Sequence, residues 1–119
     1  MGEAAYKKLI VWQKADQLAK KVYIATRCFP KDEIYGITSQ LRRASLSIPT
    51  NIVEGYARRG DKELKRFLLI SLSSLAEVEY LLDFSENMKF LGVEDYQVLY
   101  ELRRDVGNLL WKFYESINS

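Results

Sequence analysis

The sequence predicts an all-α protein, an antiparallel up-down-up-down four-helix bundle in a single domain spanning residues 1–119. Three observations lead there. Apolar residues recur at spacings of three and four over long stretches, which is the period of a helix that buries one face. No stretch alternates apolar and polar residues as a half-buried strand would. Two prolines and six glycines punctuate 119 residues, and they leave four long segments whose short connections make successive helices antiparallel neighbours.

The first helix is expected at about 9–28, with Val11, Ala15, Leu18, Val22 and Thr26 on its inner face and Trp12, Ala19 and Tyr23 beside them. Phe29-Pro30 ends it, because a residue before proline is pushed out of the α region. The second is expected at about 34–58, its inner stripe formed by Ile37, Leu41, Ala44, Ile48, Ile52 and Gly55. Pro49 lies inside it, removes the hydrogen bond to the Ser45 carbonyl and crowds that turn, so a kink is expected between Ser45 and Pro49. Gly60-Asp61 supplies a break and an N-cap for a third helix at about 61–91, carrying Leu64, Phe67, Leu68, Ser71, Leu72, Leu75, Val78, Leu82 and Ser85 inward, with Gly92 as its stop. Glu94 and Asp95 give an acidic first turn to the fourth helix, expected at about 94–117 with Tyr96, Leu99, Leu102, Val106, Leu109, Leu110, Phe113 and Ile117 on its stripe. At 1.5 Å per residue such helices span roughly 30 to 45 Å.

Composition removes whole classes of chemistry. The chain has no His, so there is no Ser-His-Asp or Cys-His relay, no HExxH zinc site and no Glu-x-x-His di-iron motif. Its single Cys28 can form neither an intrachain disulfide nor a Cys-rich zinc site, and is read as a small buried apolar residue in a reducing compartment. No metal and no cofactor is therefore expected. With 48% hydrophobic and 29% charged residues the chain resembles an ordinary soluble domain. No run approaches ~18 apolar residues and the N-terminus lacks a signal-peptide core; no membrane association and a cytoplasmic location follow as expectations.

The formal charge of +2 hides an asymmetry. Residues 1–66 carry 14 basic and 7 acidic side chains, residues 67–119 only 4 basic and 9 acidic. A basic half is the usual electrostatic footprint of a phosphate-rich partner. Arg58, Arg59, Lys62, Lys65 and Arg66 gather at the junction of helices two and three, while Lys7, Lys14 and Lys21 recur every seven residues along helix one, with Lys20 and Arg27 nearby. Seven residues return to nearly the same helical face, so these lysines form a stripe able to track phosphates, or else an ordinary solvated face. Tyr56 beside Arg58 and Tyr6 beside Lys7 are placed to stack on unpaired bases or to pack on the bundle.

If helices two and three reverse near position 60, facing residues have numbers adding to about 120, which pairs Arg43 with Glu77, Arg42 with Glu79 and Glu54 with Arg66. Around Gly92 the corresponding value of about 185 brings Arg103 near Asp83. These pairs would set register more than stability, since burying charge offsets most of the Coulomb gain. They also make Glu77 and Glu79 poor candidates for acid–base work. The stretch Gly55-Tyr56-Ala57-Arg58-Arg59-Gly60-Asp61-Lys62 has the glycine spacing of a phosphate loop, but it puts Asp61 where lysine belongs and follows a helix, not a strand. Eight Tyr, five Phe and two Trp exceed what one slim bundle hides, and Trp12, Tyr23, Tyr80, Phe84 or Phe90 are candidates for a subunit interface.

Five ordered motifs carry a family resemblance: Leu9-Ile10-Val11-Trp12-Gln13-Lys14-Ala15; Phe29-Pro30-Lys31-Asp32-Glu33; Tyr35 to Ala44; Ser47-Ile48-Pro49-Thr50-Asn51-Ile52-Val53-Glu54-Gly55-Tyr56; and Ser74-Leu75-Ala76-Glu77-Val78-Glu79. Together they resemble the bacterial four-helix-bundle family encoded by intervening sequences in 23S ribosomal RNA genes, over nearly all of the chain from Leu9 to about Leu91. The last helix matches only in character. The resemblance implies a bundle that assembles into a ring, typically a homopentamer, without known catalysis. The chain is also similar to the accessory variability determinant of diversity-generating retroelements, which implies nucleic acid and a reverse transcriptase as possible partners, met through a basic surface. Carried onto this chain, that surface would comprise Arg42, Arg43, Arg58, Arg59, Lys62, Lys65 and Arg66. The expectation is a non-enzymatic oligomer associated with RNA or DNA; its rival is an adaptor that binds a protein partner.

Overall fold

The computed structural model describes residues 4–117, and these are α-helical with short 3-10 turns and no strand. Four helices carry the fold: α1 (Ile10–Ala25), α2 (Ile37–Ala57), α3 (Asp61–Asn87) and α4 (Val93–Ser116). Single 3-10 turns precede α1 at Ala5–Lys8, follow it at Thr26–Cys28 and lead into α2 at Lys31–Glu33. Each helix packs against its sequence neighbours, and α1 closes on α4, so α1 stands diagonal to α3. The result is the antiparallel bundle expected from periodicity, 43 × 31 × 23 Å. No helix among the described residues is long and apolar enough to cross a membrane.

The core is the set of inward stripes: Leu18, Leu41, Ile48, Ile52, Leu68, Leu82, Val106 and Leu110 are fully buried. Packing is most extensive between α2 and α3, and small residues make it possible. An added Cβ on Gly55 would lie 2.8 Å from the Phe67 Cβ and 3.2 Å from Leu64 Cδ1. Buried Ser71 donates its hydroxyl to the Ile48 carbonyl at 2.9 Å, and the Ser74 and Ser47 hydroxyls meet at 2.9 Å. All these contacts obey the expected register. Helix α2 runs unbroken through the buried Pro49.

Two sequence expectations need correction here. The third helix stops at Asn87, four residues early, because Lys89 adopts a left-handed φ of 63°. The Phe90 amide then donates to Ser85 O at 2.9 Å and the Lys89 amide to Glu86 O at 3.0 Å, which closes the helix end as a Schellman motif without glycine. Gly92, expected to be that stop, instead caps the start of α4 in extended backbone. Cys28, expected to be buried, is exposed. It ends the 3-10 turn after α1, where the tighter winding takes it off the helix's inner face.

Candidate nucleic-acid interface

The α2–α3 junction brings the five predicted cations together. Helix α2 ends where Arg58 turns extended at φ −76°, ψ 155°, with its amide donating to Gly55 O at 3.2 Å. Gly60 reverses the chain at φ 96°, ψ 146°, a conformation essentially reserved for glycine. Only Arg58, Arg59 and Gly60 separate the two helices. Between positions 54 and 66 lie five cations and three carboxylates, a local net charge of +2.

Aromatic rings hold three of the cations. The Arg58 and Arg66 guanidinium carbons lie 5.0 Å and 4.6 Å from the centroid of Phe67, itself only 6% exposed. The Lys65 ammonium lies 4.6 Å from the centroid of Tyr114 on α4, and Tyr114 is stacked on the exposed Trp111 at 5.4 Å and 11°. Cations over ring faces gain from the ring quadrupole. Arg66 also donates from Nε and Nη2 to Glu63, at 2.9 and 3.2 Å. That bond, helped by the charges of Arg66, Arg58 and Lys62, holds the Glu63 carboxyl below its usual range. Arg59 and Lys62 are exposed, and neither forms an ion pair among the described residues.

The lysine stripe of helix one lies elsewhere. Lys21 borders a surface cavity of about 270 Å³ between α1 and α4, shared with Ile24, Cys28, Asp95 and Val98. Lys14, one heptad earlier, is half-buried on the same strip of α1. Both belong to the α4 side of α1, the helix diagonal to α3. Lys20 is paired with Asp16 at 2.8 Å.

None of the four interhelical ion pairs expected from register forms. Arg103 reaches Glu79 at 3.6 Å rather than Asp83, and Asp83 instead accepts the Tyr96 hydroxyl at 2.6 Å. Arg66 is held by Glu63 within its own helix, not by Glu54. Arg42 turns toward α1, donating to Thr26 Oγ1 at 2.8 Å and the Tyr23 carbonyl at 3.4 Å, so it does not meet Glu79. Arg43 and Glu77 border the same α2–α3 surface cavity, yet form no ion pair. Of the aromatic candidates for an interface, Tyr80 is 64% exposed and Tyr23 and Phe84 are exposed less. Trp12 and Phe90 pack on the core, beside Tyr6 at 4.9 Å and Phe29 at 5.9 Å. Sequence reasoning missed the Phe67 clamp and the Trp111–Tyr114 stack; the i, i+3 spacing of the latter pair was its available signal.

Glycine spacing aside, the 55–62 segment is a helix–turn–helix with Gly55 buried in the α2–α3 contact, so it offers no phosphate nest. Among the described residues no group of His, Cys, Asp and Glu could hold a metal ion. The class these features define is a slim four-helix bundle with a basic, aromatic-backed junction at one end.

The chain belongs to the family of 23S rRNA-intervening sequence proteins, whose model matches residues 7–112. It is similar in structure to a protein of unknown function from the S23 ribosomal protein family of Bacteroides thetaiotaomicron, with a TM-score of 0.82 and 20% sequence identity over 89% of this chain and 96% of that one. That likeness concerns the fold. No curated protein matches this chain.

Proposed function

We propose that this protein is a non-enzymatic, cytoplasmic, oligomeric bundle that associates with RNA through Arg58, Arg59, Lys62, Lys65 and Arg66, with Lys14 and Lys21 as a secondary contact. One observation carries the reading: five cations crowd a three-residue turn, and three of them are held over aromatic rings. Immobilised cations lose less side-chain freedom when they meet phosphates. The local net charge of only +2 calls for several copies to act together. Self-association, as the homopentamer typical of the family resemblance, is supported by exposed apolar residues along α3, among them Leu69, Tyr80 and Phe84, and by Met88 just past its end.

The test is anisotropy of labelled structured RNA and of single-stranded DNA, titrated with the purified oligomer at several salt concentrations. Binding should weaken with salt, log K falling against log salt by about 0.7 to 0.9 per phosphate contacted. Arg59→Glu with Lys62→Glu and Arg66→Glu should abolish it while the oligomer survives. Retention of RNA by this triple variant sinks the proposal. The exposed α3 face favours one other reading, an adaptor for a protein such as a reverse transcriptase. A partner retained after nuclease treatment, with no RNA affinity in the anisotropy experiment, would select it.

A further inference from the structure

We propose that the cleft between the α1–α2 connection and the first turn of α2, at the end of the bundle remote from the junction, binds a small organic anion: a phosphate or carboxylate head on an apolar body. The cleft encloses about 270 Å³, and three cations, Arg27, Lys31 and Arg42, border it. None of the three forms an ion pair among the described residues. The two neighbouring carboxylates do not fill the role. Asp32 is exposed, and Glu33 is turned to the start of α2, where its Oε1 accepts the Ile37 amide at 3.4 Å.

Arg42 is fixed in place before any ligand arrives. Its Nε and Nη2 are committed to Thr26 Oγ1 and the Tyr23 carbonyl, and its guanidinium carbon lies 5.0 Å from the Tyr23 centroid. Nη1 is left without a hydrogen bond among the described residues, and a guanidinium held this way presents N–H groups to an oxyanion at a set angle.

Thr38 supplies an independent indication. It borders the cleft, is 2% exposed, and its hydroxyl has no hydrogen-bond partner among the described residues. Buried hydroxyls without partners are uncommon enough to need a reason. An acceptor oxygen at the base of the cleft would satisfy it. The remaining wall is apolar, formed by Phe29, Pro30 and Ile34. A bare inorganic anion would leave that wall uncovered, whereas a ring or short chain behind the charged head would bury it.

Calorimetric titration of the intact protein with phenyl phosphate, benzoate and inorganic phosphate tests the site. At least one organic anion should bind about tenfold more tightly than inorganic phosphate, and which one does so assigns the head group. Arg27→Ala with Lys31→Ala, both exposed, should weaken that binding about tenfold with the ligand-free thermal midpoint unchanged. Thr38→Val should weaken it several-fold without loss of stability, since valine removes an unsatisfied hydroxyl at nearly constant volume. Absence of saturable millimolar binding, inorganic phosphate binding as tightly as both organic anions, or undiminished binding by the double variant overturns the proposal. The junction variants Arg59→Glu, Lys62→Glu and Arg66→Glu should bind the organic anion normally, so this site and the RNA reading fail separately.

Discussion

The polar contacts of helix α3 with α2 are made by small neutral side chains, and those with α4 by large charged or aromatic ones. On the α2 side stand Gly55, Ser47, Ser71 and Ser74, and the Ser71 hydroxyl bonds the Ile48 carbonyl. On the α4 side Arg103 spans 3.6 Å to Glu79, lies over the Tyr100 ring and keeps a buried Nε without a partner among the described residues, while Tyr96 bonds Asp83. The comparison separates two ways of fixing a helix pair. Small residues let backbones approach and bury polar groups already satisfied, so the α2–α3 seam gains contact without desolvating charge. The α4 seam buries part of an ion pair whose attraction is mostly cancelled by the water it loses.

Three substitutions sharpen that contrast. Gly55→Ala should destabilise the protein by about 2 kcal/mol in urea unfolding, because the new methyl would press on the Phe67 Cβ and the helices must part. A cost near zero would mean that the α2–α3 seam is looser than its geometry. Tyr96→Phe should cost about 1 kcal/mol at neutral pH, the worth of one partly exposed hydrogen bond. Its pH dependence has a definite sign. The bond to Asp83, with burial and the Asp83 charge behind it, raises the Tyr96 hydroxyl from 10.0 to about 12. The folded state therefore holds that proton more firmly than the unfolded chain, and its contribution is complete below pH 10 and lost between about pH 10 and 12. The phenylalanine variant should lack this alkaline decline; an unchanged profile would show that the bond does not persist in solution. The smallest effect is expected for Arg103→Met, within about 1 kcal/mol in either direction, because Glu79, 41% exposed, keeps its water when the pair is broken. A loss of several kcal/mol would show the ion pair to be a true anchor of α4.

Legibility in the sequence followed the same division. Apolar spacing placed all four helices, and the rule that facing residues on α2 and α3 add to about 120 set the heights of Ser71 against Ile48 and Ser74 against Ser47. Height alone does not choose a partner. Successive residues on a helix point about 100° apart, so Arg42 and Arg43 cannot both face α3, and Arg42 turned to Thr26 on α1. The early end of α3 was hidden because Lys89 takes the left-handed position that composition assigned to Gly92. The junction cations were legible because they are contiguous around a break. Their attachment to Phe67 and Tyr114 depends on side-chain paths across two helix pairs, which periodicity does not encode.

The three-residue connection at Arg58–Gly60 also orders events in time. Helices α2 and α3 close a very short loop, whereas α1 meets α4 only when the two ends of the chain have come together. Loop-closure entropy rises with the length enclosed, and local pairings form sooner than distant ones. The α2–α3 hairpin is accordingly the natural nucleus, and the α1–α4 seam is sealed last. That order predicts that local opening begins along α1 and α4 while the hairpin that carries the basic junction keeps its shape.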